Sequence, residues 1–184
     1  MDTALAPEDQ RHVEAADGWL SLGNLVEANE ELGKVESKNR LHPEVLQARW
    51  FVCAQAGKWD VCLGLATAIT QVAPERRIGW LHRAQSLGKL GRIREAKEVL
   101  LSAGRQFHPD CTISFYLAGY CLQLGQVKEA RGWLERAIKA EAEDEELRRL
   151  KLRSRDDSEL EPLGEGMGNL SRVERCLSPK DTDP

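Results

Sequence analysis

The sequence predicts an all-α fold of four tandem helix hairpins, a right-handed α-solenoid closed by a C-terminal capping helix. Three observations predict it. Gly23, Gly57, Gly91 and Gly125 lie 34 residues apart with no insertion. Each glycine opens a version of one phrase, most plainly Gly91-Arg92-Ile93-Arg94-Glu95-Ala96 and Gly125-Gln126-Val127-Lys128-Glu129-Ala130. Apolar residues on both sides of each glycine recur in steps of three and four, the spacing of one helix face. A fixed period of this length is the mark of a repeat array, whose units stack because none can bury its apolar stripe alone.

Taken in order, residues 1–8 read as an N-terminal extension. The four repeats follow at 9–42, 43–76, 77–110 and 111–142. With the glycine as fifteenth residue, the twentieth residues are Ala28, Cys62, Ala96 and Ala130. They are small because two antiparallel helices come closest just past their turn. The twenty-fourth residues are Leu32, Ala66, Leu100 and Leu134, and the twenty-seventh are Val35, Ile69, Ala103 and Ala137. The glycine supplies the left-handed residue that ends each first helix. Repeat two departs at its eighth residue, where Trp50 stands against Ala16, Ala84 and Ala118. Either the small Ala66 makes room for it or the helix shifts locally.

After the repeats, Glu143-Asp144-Glu145-Glu146-Leu147-Arg148-Arg149-Leu150-Lys151-Leu152-Arg153 places acids in a first turn and bases in a last. That order complements the helix dipole, so 143–153 is expected as a capping helix. Residues 154–184 lose periodicity and are expected to be an acidic, largely disordered tail.

Net charge is −4, with no general attraction to nucleic acid. Its distribution is uneven: residues 37–140 carry sixteen bases against eight acids, between two acidic ends. This is either the tuning of solvated faces or an attraction for an acidic ligand or the chain's own tail. Five cysteines form no tight pairing, and no run reaches the ~18 apolar residues a membrane span needs. Free thiols in a reducing cytoplasm are the expectation. His12, His42, His82 and His108 lack metal-ligand spacing, and no phosphate loop or nucleophile–base set can be assembled. The sequence therefore predicts no enzyme activity, no cofactor and no metal.

The phrase pattern resembles the tetratricopeptide repeat (TPR) family over about residues 9–142. The likeness rests on Trp80 and Leu117 early in first helices, the small Ala16, Ala84 and Ala118, the turn glycines, Ala28, Ala96 and Ala130, and Pro74 as closing proline. The resemblance implies a concave groove lined by the first helix of each repeat. Carried over, its partner-binding candidates are Val13, Asp17, Leu20, Gln47, Phe51, Gln55, Leu81, Gln85, Lys89, Phe115, Leu122 and Gln123. Val13, Leu20, Phe51, Leu81, Phe115 and Leu122 would form an apolar track there, or else pack against a neighbouring repeat or the tail. The lysine, asparagine and arginine of the family's chaperone-tail clamp are missing: its places hold Val13, Asp17, Gln47, Phe51, Leu81 and Gln85. The implied function is a cytoplasmic adaptor that holds a peptide or helix of a partner protein, without nucleic acid or membrane. The alternative is a self-associating, homo-oligomeric module, or a chaperone-like shield for an apolar client segment.

Overall fold

The computed structural model describes residues 4–107 and 111–143, with side chains as far as Ala140. The expected capping helix beyond Glu143, the acidic tail, Cys176, His108 and Pro109 lie outside the described residues. Every α-helix falls where the repeats place one: α1 (Pro7–Ser21), α2 (Leu25–Lys34), α3 (Pro43–Gln55), α4 (Trp59–Val72), α5 (Arg77–Lys89), α6 (Ile93–Gln106), α7 (Cys111–Gln123) and α8 (Val127–Glu143). The chain divides into two compact units, Met1–Val99 and Leu100–Pro184, with the division inside α6. Length alone suggests one domain; a repeat array divides because each repeat touches only its neighbours and shares no central core.

The four turns are alike to the atom pair. Gly23, Gly57, Gly91 and Gly125 have φ between 68° and 75°, and no other described residue has positive φ. In the first turn the Gly23 amide donates to the Leu20 carbonyl and the Asn24 amide to Trp19, both at 2.9 Å. The same pair of bonds recurs at Lys58, Arg92 and Gln126, each donating five residues back. This is the Schellman closure, which satisfies carbonyls that a helix end leaves without partners. Helix starts are more varied. Pro7 and Pro43 occupy first-turn positions, where proline's missing N–H costs nothing. Asn24 caps α2 by accepting from the Glu27 amide, and His42 Nδ1 accepts from the Glu44 amide at 3.4 Å.

In unit 1, α1 packs on α2 and both meet α3, while α4 lies against α3 and α5. Val13, Ala16, Leu20, Ala28, Leu32, Val35, Val45, Ala48 and Val52 form one core cluster across α1, α2 and α3. The small twentieth residues Ala28, Cys62, Ala96 and Ala130 are all fully buried. A polar tie fixes the start of the unit. Asp9, itself buried, accepts from the Glu36 amide at 2.9 Å and from Asn39 Nδ2 at 2.5 Å. The Asn39 bond, then the Glu36 amide, holds the Asp9 carboxyl below the ordinary aspartate range.

The odd tryptophan of repeat two fills the middle of the unit. Trp50 is fully buried in a cluster with Ala54, Cys62 and Ala66, flanked by Phe51, Cys53, Trp59 and Leu65. Ala66 stands where three other repeats carry leucine, and it shares this buried cluster with the indole. The indole N–H donates to Ser86 Oγ at 3.1 Å, and Ser86 donates onward to the His82 carbonyl at 2.8 Å. In unit 2, α7 packs on α8, with Leu117, Ala118, Cys121 and Ala130 buried.

Candidate functional site

The candidate residues of unit 1 separate by depth. On α3, Gln47, Phe51 and Gln55 are spaced by four, so they share one stripe of the helix. Gln55 is exposed, while Gln47 and Phe51 are half-buried. Phe51 packs against both core clusters and meets the Trp50 ring edge-on at 5.4 Å. On α1 Asp17 is exposed, and on α5 Lys89 is exposed with its ammonium 5.5 Å from the centre of the Trp59 ring. That cation–π contact joins the start of α4 to the end of α5.

The remaining unit 1 candidates lie inside. Val13, Leu20 and Leu81 are only 6%, 8% and 7% exposed, and Gln85 is buried to the same degree. The expectation that Val13, Leu20 and Leu81 form an exposed apolar track is thus corrected. Val13 and Leu20 belong to the cluster that includes Val45, Ala48 and Val52 of α3. Their places in the first helix are covered by the first helix of the next repeat, the alternative that the sequence left open.

Directly against Phe51 lies a feature that no motif announced. His82 is fully buried, and its ring stacks on Trp50 at 3.8 Å with 15° between planes. Phe51 meets it edge-on at 5.2 Å. Neither ring nitrogen has a hydrogen-bond partner. Burial pushes the imidazole down to about 3, so it is neutral at ordinary pH. A signal for this contact existed: one repeat on from Trp50 is Ala84, and His82 and Ser86 flank it.

Unit 2 carries its own candidates on α7. Phe115 and Leu122 are half-buried and Gln123 is exposed, all within one helix face. Phe115 stands edge-on to Tyr116 at 6.2 Å. Burial raises the Tyr116 phenol to about 12, which keeps it uncharged.

Ionic contacts surround these faces. Arg92 grips Glu95 through Nε and Nη2 at 2.7 and 2.6 Å. His12 Nδ1 lies 2.8 Å from Glu31, which also accepts from Lys34 at 2.7 Å. Lys34, then His12, holds the Glu31 carboxyl below its usual range. Basic residues concentrate at Arg76, Arg77, Arg83, Lys89, Arg92, Arg94 and Lys97, and some enter such pairs; Arg76, for one, reaches Glu44 at 3.7 Å.

For chemistry the thiols are poorly placed. Burial raises Cys53 and lifts Cys62 to about 12, so both stay protonated and weakly nucleophilic. Among the described residues no group of three or more His, Cys, Asp or Glu side chains is placed to hold a metal ion. No helix among them is long and apolar enough to cross a membrane. What the faces offer is an aromatic edge, amide side chains and one lysine, which suits binding.

Comparison with solved structures places the fold. TTC0263, a thermophilic TPR protein of Thermus thermophilus, is 19% identical with a TM-score of 0.64, covering 84% of this chain and 82% of that one. MamA from Desulfovibrio magneticus RS-1, residues 41 to the end, is 16% identical with a TM-score of 0.64, covering 95% and 99%. MamA of MSR-1 is 16% identical with a TM-score of 0.62, covering 73% and 78%. No protein-family model matches the chain, and no curated protein matches it in sequence. The chain has the all-α helical repeat fold of tetratricopeptide proteins.

Proposed function

We propose that the chain is a non-enzymatic interaction module that holds a peptide or helix of a partner protein against the first helices of its repeats. The observation that carries this reading is the Gln47–Phe51–Gln55 stripe on α3. An aromatic ring that is half-buried and flanked by two amides offers one apolar anchor point between groups that can bond a peptide backbone. Phe115, Leu122 and Gln123 supply a comparable face on α7 of unit 2. Asp17 and Lys89 add charges of opposite sign on the neighbouring first helices. Val13, Leu20, Leu81 and Gln85 support these faces from beneath and do not meet the partner.

The test is Phe51→Glu, with Gln55→Lys as a milder companion. Both are expected to abolish capture of the partner by the immobilised full chain. Gln55→Lys should keep helicity and melting near wild type, whereas Phe51→Glu should also lower melting because Phe51 packs against both core clusters. Undiminished capture by a folded Gln55→Lys variant would overturn the reading. A self-associating module is favoured by one observation: Leu22 and Val26, 76% and 67% exposed, stand together around the first turn. Sedimentation over a range of concentrations decides it, since a strict monomer excludes self-association.

A further inference from the structure

We propose that His82 is a proton-sensitive latch between α3 and α5, and that protonating it releases Phe51 and its flanking glutamines from their support. The geometry is unusual for a core. An imidazole with two buried nitrogens and no hydrogen-bond partner is stacked on Trp50 and capped edge-on by Phe51. In this closed state it has no room to hold a charge, because an ion there would lose water and gain nothing in return. Opening the α3–α5 contact lets the ring reach water and bind a proton.

Nothing nearby compensates that charge. The titratable groups on the surrounding helices are Glu44, Arg49 and Cys53 on α3, Asp60 and Cys62 on α4, and Arg77, Arg83 and Lys89 on α5 itself. None forms an ion pair or hydrogen bond with the imidazole, and burial alone lowers its basicity. Cys62 instead contacts the Trp50 carbonyl at 3.7 Å. Across the contact the Trp50–Ser86 bond is uncharged and insensitive to pH, and Arg76 at the start of α5 reaches Glu44 of α3 at 3.7 Å.

The thermodynamics set the direction. A proton bound only in the open state multiplies the opening equilibrium about tenfold for each pH unit below the free histidine value of about 6.5. Opening at α3 removes the packing that holds Phe51. The inference therefore rests, for its biological meaning, on the reading of Phe51 as a partner-binding residue. The opening itself is independent of that reading.

Hydrogen exchange of the full chain between pH 7.5 and 5, corrected for intrinsic exchange rates, tests the latch. Wild type is expected to lose about tenfold protection per pH unit below 6.5 in α3 and α5. His82→Phe, which keeps a ring in the stack but cannot titrate, is expected to hold those amides level across the range. Should His82→Phe fold poorly, His82→Leu serves the same purpose with a smaller side chain. An unchanged pH dependence of α3 and α5 in either variant would overturn the latch. No partner enters this experiment, so its failure leaves the binding reading intact, and loss of that reading leaves the latch intact.

Discussion

Two glycines illustrate how differently one residue type can be required. At Gly57 the reason is backbone sign: φ is +68°, and a Cβ built there would meet nothing within 4 Å. At Gly79 the reason is space, since a Cβ would lie 2.6 Å from Ile69 Cγ2. Gly57→Ala is therefore expected to cost about 1 kcal/mol from left-handed strain alone. Gly79→Ala should cost more, about 1–3 kcal/mol, because α5 must move away from α4. Urea midpoints with unchanged m-values check both. Equal costs would mean that the α4–α5 contact yields more easily than its geometry implies. The turn glycines are legible in the sequence by their period, whereas Gly79 is not, because close approach depends on what the facing helix presents. Asp9 is a second case. Its carboxylate ties Glu36 and Asn39, nearly a whole repeat away, and no local pattern marks that partnership. Asp9→Asn is expected to lower the melting temperature and speed exchange at residues 36–39, and an unchanged melting temperature would refute the tie.

At the scale of elements, the pairing of a large and a small residue carries most of what distinguishes repeat two. Trp50 and Ala66 lie within one buried cluster, and the large residue is expected to fill the room the small one leaves. Trp50→Ala is expected to cost about 3–5 kcal/mol, as large-to-small changes in a core do. Ala66→Leu alone should overpack the site and cost about 1–3 kcal/mol. Combined, they restore the usual repeat pattern, so the double variant should be more stable than the sum of the two losses. A double-mutant cycle measures this coupling, and strict additivity would contradict the compensation. The helices and their turns were readable from spacing because both follow from chain geometry. The depth of each first-helix residue was not. Val13 and Phe115 share the fifth place of their repeats yet differ in exposure, since cover is supplied by a neighbour's side chains. So the candidate face was legible as a set of helices, and only its exposed members, such as Gln55, Lys89 and Gln123, could be separated by structure.

For the molecule as a whole, acid is the condition that acts on several of these features together. The buried His82 is held down to about 3 from an ordinary 6.5, so the unfolded chain binds a proton that the folded chain refuses. Its contribution to stability is full above pH 6.5 and is lost as pH falls towards 3. Asp9 and Glu31, both held below their usual ranges, add losses in the same direction at lower pH. Between pH 6.5 and 4 the unfolding free energy should therefore fall by about 1.4 kcal/mol per pH unit from His82 alone. Urea unfolding across that range checks the slope, and a flat profile would contradict the burial of a neutral imidazole.

The central claim is that partners meet the first helices and not the second. Photo-crosslinking side chains placed singly at Gln55 on α3 and Gln123 on α7, with Glu30 on α2 and Arg94 on α6 as exposed controls, test it most directly in cell extract. A discrete crosslinked partner from Gln55 or Gln123, and none from Glu30 or Arg94, is the predicted result. Crosslinks from Glu30 and Arg94 with none from Gln55 or Gln123 would contradict it.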